Sequence, residues 1–180
     1  MALNKQTVAK RYGRALFELA EEEQVLESVF QDVLTLREID HLVPELGLIL
    51  SNPNLATGEK QQLLDLLLQE MEEITRNTVL VIADNHRILE LSLIIDAFEH
   101  EYYETKKILK ATVTSVVPLS KKQKEQLSIK LKHQFNYEAV KLSERIDPRI
   151  LGGVILETKN QMMDGSVKTR LETIKKALSK

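Results

Sequence analysis

Cysteine is absent from the chain, and so is tryptophan. Without cysteine there are no disulfides and no thiolate chemistry, and a reducing compartment is the natural setting. Long hydrophobic runs are missing too. No window approaches the roughly 18 uncharged apolar residues that a bilayer span requires. The opening "MALNKQTVAKRYGRALFELA" lacks the uninterrupted apolar core of a signal peptide. Its first 17 residues carry no acid, a trait of organellar transit peptides. However, Glu18 and the acids at 21 to 23 continue the same period, which makes this an ordinary first helix. Histidine is scarce as well, and the four present show no ligand spacing. "HEYYE" at 100 to 104 has half of the zinc motif H-E-x-x-H, but Glu104 stands where the second His is required, and His41, His86 and His133 are scattered. A base–nucleophile pair would need Ser or Lys in a pocket that nothing marks. The chain reads as non-catalytic, with no metal and no cofactor.

What is present is a globular composition, 43% hydrophobic and 29% charged, on 180 residues. That length suits one large domain or two small ones. The net charge of −2 hides a sharp division. Residues 1–105 hold 8 Lys+Arg against 20 Asp+Glu, a net of −12, while residues 106–180 hold 17 against 7, a net of +10. Such asymmetry points to two domains with different surroundings. The change falls near "YETKKILKATV", which contains no Gly or Pro linker. A helix therefore runs close up to the second domain.

Residues 1–105 read as helices throughout. Val8, Tyr12, Ala15, Leu16 and Leu19 form one stripe at helical spacing, and Leu26, Val29, Phe30 and Val33 form the next. After the break "SNPNLATGEK", with Thr57 as expected N-cap, come Leu63, Leu64, Leu67, Leu68 and Met71. "ITRNTVLVIADN" is shorter and apolar on more than one side. Ile88, Leu91, Ile95, Phe98 and Tyr102 mark a last helix. Five or six helices with brief connections make a compact bundle.

Residues 106–180 change period. "ILKATVTSVVP" is β-branched, and Val140, Leu142, Glu144 and Ile146 alternate with Lys141, Ser143, Arg145 and Asp147. Between these strands, Ser120 and Gln123 stand in capping-box spacing before a helix with Leu127, Leu131 and Phe135 on one face. "ILGGVIL" is too β-rich for a helix, and Val167, Leu171, Ile174 and Leu178 fit a final amphipathic helix. The predicted order β-α-β-β-α gives a small sheet with helices packed on it.

The glycine-rich stretch "ILGGVILETKNQMMDGSVKTRL", 150–171, raises the question of a phosphate site. It lacks the G-x-x-x-x-G-K-[ST] spacing that cradles phosphates, and it lacks G-x-G-x-x-G after a first strand. Architecture is the better reading. Gly152 and Gly153 allow a bend or a close backbone approach, Gly165 supplies a turn with φ > 0, and Asp164 or Ser166 caps the final helix. Nucleic-acid binding through "KKQKEQLSIKLKH" is opposed by its diluting acid and glutamines, its lack of arginine and aromatics, and the −12 partner domain. A solvated helix face is the plainer account. What remains is an adaptor for two different partners. The runner-up is a nucleic-acid-binding or regulatory adaptor that uses the basic domain.

"AKRYGRALFELA", "IADNHRILEL" and "LGGVILETKNQMMDGSVKTRL" resemble, in order and spacing, the delta-subunit family of F-type ATP synthases, called the oligomycin-sensitivity-conferral protein in mitochondria. The signature comprises Gly152, Gly153, Asp164, Gly165, Ser166, Val167, Arg170 and Leu171. Met163 departs from it, standing where a β-branched residue is usual. The resemblance implies a two-domain fold: a six-helix all-α bundle over 1–105 and a small α/β domain over 106–180. It implies a stator connector with no catalysis of its own. The bundle would bind the N-terminal helix of an alpha subunit between its first and fifth helices, and the second domain would bind the C-terminal ends of b-type stalk subunits. Matching motifs place Tyr12, Ala15 and Val81 in that groove, with bundle core as the alternative for Ala15 and Val81. Tyr12 suits a groove that is apolar at one end and wet at the other. One copy per complex is implied, peripheral to the cytoplasmic face of the cell membrane and with no inserted segment.

Overall fold

The computed structural model describes residues 4–52, 54–159 and 161–178. Its backbone divides into two compact units, Met1–Tyr102 and Tyr103–Lys180. The division lies within the last turn of a helix rather than after residue 105. Among the described residues no helix is long and apolar enough to cross a membrane.

The first unit is helical. It contains α1 (Lys5–Glu22), α2 (Leu26–Leu42), α3 (Leu46–Ser51), α4 (Thr57–Leu68), α5 (Glu73–Asp84) and most of α6 (Leu91–Thr105). With α7 (Lys121–Phe135) and α8 (Val167–Leu178) of the second unit, the described residues hold eight α-helices in all. The core is formed by Leu16, Phe17, Val29, Val33, Leu68, Ile82, Ile95 and Phe98, all buried. Phe17 meets Phe98 edge-on, and Phe30 stacks on Tyr102 with centroids 3.7 Å apart.

The stripe expected on α1 is not its core face. Only Val8 and Leu16 of the five are buried; the face turned inward is Val8, Ala9, Gly13, Leu16, Phe17 and Ala20. Gly13 explains the rotation. A Cβ there would lie 2.6 Å from Ala97 Cβ and 2.7 Å from Phe98 N, so α1 and α6 touch backbone to backbone. That leaves Tyr12, Ala15 and Leu19 on a second apolar face.

Thr57 is not the cap of α4, because the helix starts on it and Ala56 takes the N-cap place. Half a capping box survives: the Glu59 carboxylate accepts the Ala56 N–H at 3.2 Å, and alanine has no oxygen to return the bond. The Ser120–Gln123 box is complete, with Ser120 N–H donating to Gln123 Oε1 at 2.8 Å and Gln123 N–H to Ser120 Oγ at 3.3 Å.

The second unit is a four-stranded mixed sheet with two helices. In chain order come β1 (Ile108–Ser115), α7 (Lys121–Phe135), β2 (Ala139–Ile146), β3 (Val154–Thr158), β4 (Met162–Asp164) and α8 (Val167–Leu178). The strands lie in the order β2-β1-β3-β4. β1 and β2 are parallel, as the intervening helix allows, and the other pairs are antiparallel. β4 was not expected from the sequence. Its three residues pair with Ile155–Glu157 of β3, too short a stretch to show a period of two. Leu131 and its neighbours Leu127 and Phe135 on α7 pack against Leu109, Ala111, Val113 and Leu156 of the sheet. The Lys124–Glu144 pair at 2.8 Å ties α7 to β2, and this contact holds the Glu144 carboxyl below its usual range.

The final helix forms, but its apolar stripe stays open to solvent. Val167, Leu171, Ile174 and Leu178 are all exposed, Leu178 by 83%, and α8 has no buried residue.

A candidate partner-binding groove

The second apolar face of α1 faces α5 across an open groove of about 340 Å³, lined by Tyr12, Ala15, Leu19, Ile74, Thr78 and Val81 among others. The three residues expected to share a site are thus brought together. Val81 is 48% exposed and Leu19 46%, so neither belongs to the bundle core. The apolarity of "TVLVIA" on two sides has a direct explanation. Val79 and Ile82 point into the core, while Ile74, Thr78 and Val81 face the groove. No lining residue of this stretch carries a charge.

Groove and core are held in register by side chains that the sequence did not single out. α5 has no capping side chain of its own at Glu72. Asp32 of α2 supplies one from across the bundle: its Oδ2 accepts the Glu72 N–H at 2.9 Å and the hydroxyl of fully buried Thr75 at 2.8 Å. The negative charge also sits favourably at the positive end of the helix dipole. At the far end of the preceding helix, Arg76 donates to the carbonyls of Leu68 and Gln69 at 3.3 and 3.0 Å. On α2 and α6, Arg37 Nε donates to buried Glu99 at 2.7 Å and Nη2 to Asp96 at 2.7 Å. Asp32→Ala should destabilise the bundle by about 1–2 kcal/mol, the usual cost of a lost cap. Amide exchange should rise first at residues 73–76. Uniform protection along α5 in that variant would remove Asp32 as the helix's anchor.

The glycine stretch forms a backbone clasp. Gly153 has φ +75°, and a Cβ on it would lie 2.2 Å from the Gly165 carbonyl oxygen. Gly165 N–H donates to Val154 O at 2.9 Å, and Val167 N–H to Gly152 O at 3.0 Å. The two glycine-bearing segments therefore cross in direct contact. Gly165 itself does not have the positive φ expected of it; that conformation belongs to Gly152 and Gly153 among the glycines. Its need for a small residue is one of space, since a Cβ would come 3.1 Å from Val154 O. Ser166 is buried and caps α8, accepting the Thr169 N–H at 3.2 Å. Asp164 braces the cap by accepting from Ser166 N–H at 2.8 Å and Thr169 Oγ1 at 2.7 Å. Those bonds, the Ser166 N–H above all, hold its carboxyl below the usual range. Arg170 and Leu171 lie outside the clasp, exposed on α8. No group of three or more His, Cys, Asp or Glu poised to hold a metal occurs among the described residues.

The family model described as ATP synthase delta (OSCP) subunit matches residues 8–178. The chain is 40% identical over 180 residues to ATP synthase subunit delta of Enterococcus faecalis and 37% identical to that of Enterococcus hirae, with 100% of both chains covered in each case. The fold is also found in a chain of the Toxoplasma gondii mitochondrial ATP synthase hexamer, at a TM-score of 0.74 and 23% identity, covering 96% of this chain and 97% of that one. A match along nearly the whole length, carried by relatives of this identity, means that the chain belongs to the ATP synthase delta (OSCP) subunit family.

Proposed function

We propose that the chain is a non-catalytic stator connector, joining the catalytic alpha/beta head of an F-type ATP synthase to the b-type subunits of its peripheral stalk. One observation carries the reading: an exposed, uncharged apolar groove between α1 and α5 that contains Tyr12, Ala15 and Val81. Such a slot suits helix-in-groove recognition, in which side chains at i, i+3, i+4 and i+7 fill the cleft. The occupant is the N-terminal helix of an alpha subunit, taken up by residues 1–105. Residues 106–180 receive the stalk. The uncovered stripe of α8, Val167, Leu171, Ile174 and Leu178, offers an amphipathic face there, and the +10 charge suits stalk helices of mixed charge. One copy serves each complex, peripheral to the cytoplasmic face of the membrane. The physical need is mechanical. Ion flow turns a rotor inside the head, and an unanchored head would turn with it.

Val81→Asp tests the groove. It should weaken binding of the head by roughly 2 to 4 kcal/mol, the cost of burying an unpaired carboxylate in an apolar slot. In the free chain the new carboxylate faces water, so helical circular dichroism should stay as it was. Val79→Asp is the contrast, because Val79 is 3% exposed and a charge there should unfold the bundle. Unchanged affinity of the Val81 variant in a head-binding titration would remove the groove from the interface.

A further inference from the structure

The uncharged slot is only half of the cleft. Tyr12 and Ala15 also line a second cavity of about 480 Å³, next to the first across those shared side chains and bordered by Val8, Arg11, Asn85 and Arg87. The helices run antiparallel here: residues 8–12 of α1 meet the C-terminal end of α5, and residues 16–19 meet its first turns. Both arginines therefore sit at one end of the cleft, and among the described residues no acidic one lines that end. Arg87 has one ion-pair partner within the bundle. Its Nη1 lies 3.5 Å from Oε1 of Glu90, whose side chain is only 6% exposed. Glu90 Oε2 has no hydrogen-bond partner among the described residues, so Arg87 is its visible compensation. A half-satisfied buried carboxylate is costly, so Glu90 favours keeping a guanidinium beside it at this edge of the groove.

We infer that the Arg11–Arg87 end recognises a carboxylate, so that the docked helix must carry an acidic side chain just beyond one end of its apolar stripe. This rests on the helix-in-groove reading and adds direction to it. An apolar stripe alone fits a slot either way round and can slip by a turn. A carboxylate held between two guanidiniums at one end fixes both direction and register, because arginine pairs with carboxylate in a planar, charge-assisted geometry. Reversed or shifted, the helix would leave that carboxylate on the apolar lining, away from both guanidiniums.

The test uses the full chain and fluorescence anisotropy with three labelled peptides. One is the N-terminal segment of the alpha subunit from the same organism. The second replaces the acids flanking its apolar stripe with glutamine, and the third replaces them with lysine. The unaltered peptide should bind wild type about tenfold more tightly than the glutamine form, a gap that closes as salt is raised. Arg11→Glu should lose that preference and gain affinity for the lysine peptide. Arg87→Gln should lose the preference as well. Because that change also strips Glu90 of its ion pair, exposed Arg11 carries the result if the Arg87 variant unfolds. If all peptides bind both proteins alike while Val81→Asp still abolishes binding, the groove reading stands and the carboxylate inference is overturned. If no peptide binds wild type, the groove reading falls and takes the inference with it.

Discussion

Gly153→Val is expected to unfold the second unit and leave the first folded. Two costs coincide at this position. A β-branched residue at φ +75° is strained by about 1–3 kcal/mol on its own. Its Cβ would also lie 2.2 Å from the Gly165 carbonyl oxygen, a backbone atom that cannot swing aside. Relief requires the two crossing segments to separate. That breaks the Gly165–Val154 and Val167–Gly152 hydrogen bonds at 2.9 and 3.0 Å and frees the cap of α8. The total should exceed about 4 kcal/mol, which belongs to the exceptional class of single substitutions. Amide exchange checks it: protection should vanish over residues 108–164 and persist over 5–102. Gly165→Ala is the graded contrast, since its Cβ meets Val154 O at 3.1 Å and needs a shift of only a few tenths of an ångström. If Gly165→Ala proves the more damaging, the assignment of the close approach to Gly153 is wrong.

That pair of glycines shows how far the sequence could be read. Turn chemistry says that Asp-Gly favours positive φ, and this is a local rule. Here the strain sits twelve residues earlier, because the crossing of two distant segments decides which glycine is bent. The same distinction holds elsewhere. The helix of Leu91, Ile95, Phe98 and Tyr102 was legible because one periodic face is also the buried face, although Ile88, expected in it, lies in a 3-10 turn just before it. On α1 the period was visible and the burial was not, since "RYGRALFELA" is apolar on two faces and only Gly13's contact with α6 tells them apart. α8 fails in the opposite sense. Its stripe is regular, but a stripe records only that something apolar will be covered, and no described residue of this chain buries it. Asp32 left no local trace at all, because it caps a helix forty residues away. The groove residues Tyr12, Ala15 and Val81 came from matching motifs; α1 and α5 supply the reason they meet.

The separation of the two units leads to the sharpest functional expectation. The first unit has a buried core of its own, with Phe17, Val29, Ile82 and Phe98 among its members. A fragment of residues 1–105 keeps α1 to α6 whole and keeps the groove. It should fold, as helical circular dichroism and a cooperative melt would establish, and should bind the isolated head nearly as tightly as the full chain. It should not bind the stalk, because the sheet, α8 and the basic surface are gone. Added in excess to membranes with the full protein removed, it should occupy the head and block reconstitution. ATP hydrolysis by the head should continue, while ATP-driven ion pumping should fall to background. The cause is mechanical: an anchor held at one end transmits no torque, so the head turns with the rotor and hydrolysis does no work on the ion. Competition should follow mass action, with full-length protein restoring pumping in proportion to its excess over the fragment. Restoration of pumping by the fragment alone would show that residues 106–180 are dispensable for stalk attachment, and a connector with two separate ends would no longer describe this chain.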